Sequence, residues 1–102
     1  SRMVDDKVKM LALAEDRTTT AESMAEFARH PDPDVRMRAA YHDNTSVETL
    51  DYLSKDSDHR VRHFVAANSR TSEPALERLT NDSDAGVRQA AQWSLEALRG
   101  SN

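Results

Sequence analysis

Val35, Val61 and Val87 stand 26 residues apart, each followed by an arginine (Arg36, Arg62, Arg88) and preceded three residues earlier by an aspartate (Asp32, Asp58, Asp84). The same shift carries Thr45 onto Thr71, Ser46 onto Ser72, Leu50 onto Leu76 and Leu53 onto Leu79. Shifted back, Thr19, Met24 and Phe27 fill the threonine and leucine slots. No insertion interrupts the period. A unit this short cannot bury its own apolar face, so the units must stack in a row and share one continuous core.

Each unit carries two helix signals. Asp32, Asp58 and Asp84 are expected N-caps, whose carboxylates accept from free N–H groups of the first turn. Pro33 follows Asp32 at the first helical position, where its missing N–H costs nothing. The second expected cap is threonine, with capping boxes at Thr19-x-x-Glu22 and Thr45-x-x-Glu48; Pro74 replaces the glutamate in the third unit. Apolar residues recur at helical spacing, Val61 and Val65 in one helix, Leu76 and Leu79 in the next. The pattern predicts helices over about 3–15, 20–29, 33–42, 46–55, 59–67, 72–80 and 85–99.

The expected architecture is therefore all-α: one right-handed α-solenoid domain over 1–102, with about three and a half helix-pair units. The boundaries are 4–29 for a degenerate first unit, 30–55 and 56–81 for two full units, and 82–99 for a terminal capping helix. The first unit is degenerate because Lys9 and Met10 stand where valine and arginine are expected. Trp93 takes the slot of Tyr41 and Ala67, and a longer apolar helix closes the row.

Composition narrows the function. Net charge is −4, with 7 basic and 11 acidic residues in the first 51 positions and 7 of each thereafter. This balance opposes a general polyanion binder. No cysteine is present, so thiolate metal sites and disulfides are excluded. No apolar run reaches the roughly 20 residues that span a bilayer, and a cytoplasmic setting is the default expectation.

The segments HPDPDVRMRAAYHDNTSVETLDYLSK and DSDHRVRHFVAANSRTSEPALERLTN resemble leucine-rich repeat variants, bacterial relatives of the HEAT-like α-solenoids. The resemblance rests on the D-x-x-V-R opening, the small residues after it, the loop with Asn44 or Asn68 and the Thr-Ser start of the second helix, over roughly residues 30–98. It implies a protein-binding scaffold. Some relatives resemble fusions to a cysteine-rich iron–sulfur segment; without cysteine, nothing of that cluster carries over, and no cofactor is expected.

Arg36, Arg62 and Arg88 are expected to form a structural ladder with the acidic residues Asp56 and Asp82, which lie six residues before Arg62 and Arg88. His30 takes that slot ahead of Arg36 and puts the first rung in doubt. Candidate partner-binding residues are Arg38, Tyr41, His42, Arg60, His63 and Trp93. Tyr41 and Trp93 read first as packing or cap residues and second as interface anchors. His59 and His63, at i and i+4, share one helical face, but a zinc site needs a third ligand. His42-Asp43 lacks a nucleophile elbow and an oxyanion loop, so no catalytic site is expected.

Two function classes follow. The first is a non-catalytic module binding another protein, or another part of a longer chain, through the grooved face of the solenoid. The second is a nucleic-acid-binding module, similar to HEAT-like DNA glycosylases, using the face of Arg36, Arg62 and Arg88; the acidic balance makes nucleic acid the less favoured partner. For the fold itself, Leu76→Ala is expected to cost about 2–5 kcal/mol in denaturant unfolding. Substantial strand signal in the far-ultraviolet spectrum would contradict the repeat reading.

Overall fold

The computed structural model describes residues 2–100. The described chain folds into seven α-helices and no strand: α1 Arg2–Glu15, α2 Ala21–Phe27, α3 Pro33–Tyr41, α4 Val47–Leu53, α5 His59–Ala67, α6 Glu73–Leu79 and α7 Ala85–Gly100. The odd-numbered helices stand side by side, α3 between α1 and α5, and α5 between α3 and α7. Each even-numbered helix docks on the odd helix that follows it. The result is an elongated body of 47 × 28 × 17 Å.

Several of these helices have only seven residues, too short to persist alone in water. Their stability comes from burial, and burial follows the 26-residue period. Val35, Val61 and Val87 are fully buried on successive odd helices, as are Ala39, Val65 and Ala91 one turn later. Met24 and Leu50 on the even helices join them in one core, with Phe27, Leu53 and Leu79 one turn on, and Leu76 is buried at the same slot of α6. The first unit departs as its sequence requires. Lys9 is exposed, and α1 turns Met10 and Leu11 against the core instead.

The aspartate caps form where expected: Asp32 accepts from the Asp34 amide at 2.9 Å, Asp58 from Arg60 at 2.8 Å and Asp84 from Val87 at 3.0 Å. The threonine caps do not. The caps are the residues after them, Thr20, Ser46 and Ser72, which accept from the amides of Ser23, Thr49 and Ala75. Thr19, Thr45 and Thr71 do a different job. Their hydroxyls donate backward to the carbonyls of Leu13, Ala39 and Val65, at 2.5, 2.5 and 2.6 Å. A helix ends with carbonyls that have no intrahelical partner, and in the two later units these hydroxyls supply one inside the protein. The hydroxyl dipeptide thus closes one helix with its first residue and opens the next with its second. The capping boxes with Glu22 and Glu48 are not formed, because the frame is one residue late.

The two roles separate experimentally. Thr45→Val keeps the shape, removes the donor and strands the Ala39 carbonyl, so it should cost about 1–3 kcal/mol in chemical denaturation. Glu48→Ala should stay within about 0.5 kcal/mol, as for an exposed residue that caps nothing. A large Glu48 effect beside a silent Thr45 would restore the capping box.

Candidate functional site

Helices α3, α5 and α7 each carry the arginine at their fourth residue, directly after the buried valine, and the guanidinium groups of Arg36 and Arg62 lean toward the turn entering the next odd helix. Arg36 Nε donates to Asp56 Oδ2 at 2.9 Å and its Nη2 to Oδ1 at 3.3 Å. Arg62 repeats the fork on Asp82 at 2.7 and 3.1 Å. In both, Nη1 turns back to a main-chain carbonyl: His30 and Pro31 for Arg36, Asp56 for Arg62. Among the described residues Arg88 has only the backward bond, to the Asp82 carbonyl at 2.8 Å.

The rungs therefore run twenty residues forward, not six back. The residue six back contributes its carbonyl, which any side chain offers, so His30 leaves the Arg36 rung intact. His30 also stands in for the aspartate of its turn. Its Nδ1 accepts the Asp32 amide at 2.9 Å, as Asp56 and Asp82 accept the amides of Asp58 and Asp84. The paired side chains are mostly covered, 16% and 7% exposed for Arg36 and Asp56, 13% and 8% for Arg62 and Asp82. Bidentate geometry and burial put these pairs above ordinary surface ion pairs.

A second polar row, which no sequence pattern had singled out as a unit, occupies the slot of His42, Asn68 and Ser94. His42 is buried, Nε2 donates to the Asp16 carbonyl at 2.6 Å, and Nδ1 accepts the Asn44 amide at 3.0 Å. Asn68 donates to the carbonyls of Ala40 and His42 and accepts the Arg70 amide. Ser94 donates to Ala66. Each reaches the unit before it. The available signal was a hydrogen-bonding side chain recurring every 26 residues, with its chemistry changing each time. His42 is thereby removed from the exposed candidates.

The other candidates lie on the outer side of the odd row. Tyr41 and Trp93 share a slot and stand 65% and 64% exposed, so neither packs as a cap. Tyr41 meets the edge of Phe64, ring centres 5.7 Å apart, beside exposed His63. Leu11, Asp34, Met37, Arg38, Tyr41 and Phe64 line a groove of about 610 Å³ across α1, α3 and α5. Arg38 pairs with Glu15 at 3.1 Å, and Arg60 folds onto Asp58 at 2.7 Å. His59 faces Asp84 at 4.0 Å, and among the described residues no three His, Cys, Asp or Glu converge as metal ligands.

The electrostatics favour neutral pH. Burial alone would raise the Asp82 carboxyl, but the bonds from Arg62 and the Asp84 amide outweigh it and hold the group below its ordinary value. The Arg60 side chain and amide lower Asp58, and Lys7 with the Asp34 amide lowers Asp32.

Side-by-side helical pairs in a fixed register define a helical repeat protein. Residues 59–84, one full period from the start of α5 to the cap of α7, match the family model described as leucine rich repeat variant. The match agrees with the resemblance read from the sequence. No curated protein and no solved structure matched the chain.

Two outcomes follow from the ladder. Arg36→Ala and Arg62→Ala should each lower the denaturant midpoint by an amount equivalent to about 1.5–3 kcal/mol, and Arg88→Ala by less. Equal losses at all three positions would deny the forward fork. Carboxylates lowered in the folded state contribute stability above their unfolded value of about 3.9, and that stability is lost as pH falls through the folded values. Unfolding free energy should therefore be level near neutrality and fall below about pH 4, with a smaller fall in Asp82→Asn. An unchanged acid slope in that variant would contradict the assignment.

Proposed function

We propose that the protein is a non-catalytic interaction module that receives another protein on the outer face of its odd-numbered helices. The carrying observation is the exposure of Tyr41 and Trp93 at one repeat slot, with Tyr41 at the edge of a groove lined also by Leu11, Met37 and Phe64. Aromatic side chains bring large rigid contact area at low entropic cost and dominate binding hot spots. Two units separate Tyr41 from Trp93, roughly 20 Å at the usual 8–10 Å between packed helices. A partner that reached both would span most of the row. The opposite side presents Glu22, Glu26, Glu48, Glu73 and Glu77 on short helices, and its exposed aromatic, Tyr52, is less exposed than Tyr41 or Trp93 and already lies under the Arg29 guanidinium.

The nucleic-acid reading loses its main support. Arg36 and Arg62 spend their forks on Asp56 and Asp82, so the three arginines make no free cationic stripe for phosphates. The family match supports a repeat-based interaction module and speaks for no catalytic chemistry.

Capture with the whole chain as bait tests the proposal. Tyr41→Ala and Trp93→Ala should keep the parent's unfolding midpoint, since both side chains are mostly exposed, and should lose the captured protein. Glu48→Ala should retain it. Capture unaffected by both aromatic changes, or a steep salt-dependent affinity for duplex DNA, would overturn the reading.

A further inference from the structure

Three departures from the repeat fall in one place. His30 stands where later units have Asp56 and Asp82, Tyr52 where the next unit has Arg78, and Lys55 where it has Asn81. All three line a cleft of about 690 Å³ between the turn leaving α2 and the end of α4. At the following joint Arg78 reaches back to Asp51 at 2.8 Å and to Ser54 at 3.4 Å, so that guanidinium is spent within the fold. At the first joint Arg29 lies over the Tyr52 ring instead, its Cζ 4.6 Å from the ring centre. The contact holds the guanidinium by its face. Its N–H groups have no acceptor among the described residues, and the exposed Lys55 ammonium has no carboxylate partner there. His30 Nδ1 accepts the Asp32 amide at 2.9 Å, so the neutral ring carries its proton on Nε2. The turn that holds a carboxylate in later units holds an N–H donor here.

We propose that this cleft binds a phosphate group, held by Arg29, Lys55 and the Nε2–H of His30. A phosphate monoester carries about two negative charges at neutral pH and three strong acceptor oxygens. Two cations and a neutral donor match that count, whereas a carboxylate would leave one cation unanswered. Arginine offers a planar set of donors to such an oxyanion and lysine a compact charge. Because Tyr52 already holds the Arg29 guanidinium, less freedom is lost when the ligand arrives.

The carboxylates that line the cleft do not cancel these cations. Asp56 is taken by the Arg36 fork and Asp51 by Arg78. Glu48 lies in the first turn of α4 and Lys55 just past its last, about 10 Å apart along the axis. One pair of cations among the glutamates of this side suits a single phosphate and not a polyanion strand. The cleft lies between α2 and α4, apart from the groove at Tyr41, and the proposal stands whether or not that groove receives a partner.

The probe is inorganic phosphate, titrated into the whole protein at fixed pH and ionic strength while the Arg29 Nε–H and His30 ring signals are followed by NMR. Both should move and saturate with one midpoint, and the signal of exposed Arg70 should stay. Lys55→Gln, at an exposed position, should weaken that midpoint about tenfold or more. His30→Asp installs the residue of the later turns, which accepts the same amide, and should abolish saturation. Blocked phosphoserine separates the sources of the group: a tighter midpoint than that of inorganic phosphate assigns the site to a phosphorylated segment, and an equal or weaker one to free phosphate. Equal shifts at Arg70 and Arg29, shifts that never saturate, or binding unaltered in both variants would overturn the proposal.

Discussion

Every unit of this protein depends on its neighbours for burial. A seven-residue helix contributes two or three apolar side chains, and these find cover only between the helices of adjacent units. Val61, for example, is fully buried in a row where Val35 and Val87 occupy the same slot on either side. The stacking constraint explains why the period admits no insertion. An added residue would shift one helix against both of its contacts and take a valine out of the core.

Apolar contact is non-directional and does not define a register sharply. Polar ties do. The guanidinium forks join units at one end of the odd helices, and the row of His42, Asn68 and Ser94 joins them at the other. Each joint in the middle of the row is fastened at both ends of its helix. The buried polar groups cost little because they are paired: no buried side-chain nitrogen or oxygen among the described residues lacks a partner. Once the register is held this way, the outer face of the odd helices is free to vary. The slot that reads Tyr41, Ala67 and Trp93 is exposed in all three units.

Much of the fold was legible in the sequence. The expected helix over 59–67 coincides with His59–Ala67, and the expected 46–55 contains Val47–Leu53. Aspartate caps and valine slots recur together, so each unit checks the others. The polar detail was less legible, for identifiable reasons. In a period of 26, every ladder aspartate lies six residues before one arginine and twenty after another, so spacing alone cannot choose between them. Thr45 and Ser46 are both competent caps, and only their burial assigns the backward bond to one and the cap to the other. His42 stood in the sequence as a partner-binding candidate, but its ring has the donor and acceptor that Asn68 uses in the next unit. Tyr41 and Trp93 read in the sequence first as packing or cap residues and only second as interface anchors, and their exposure removes the first reading.

The central claim is that successive units are locked by forward forks, arginine to the aspartate twenty residues on. A double-mutant cycle on Arg62→Ala and Asp82→Ala, set beside one on Arg62→Ala and Asp56→Ala, measures it directly. The account predicts a coupling of about 1–3 kcal/mol for the first pair and additivity within about 0.5 kcal/mol for the second, since Arg62 meets only the Asp56 carbonyl. Additive losses at Arg62 and Asp82, with the coupling found at Asp56 instead, would contradict it.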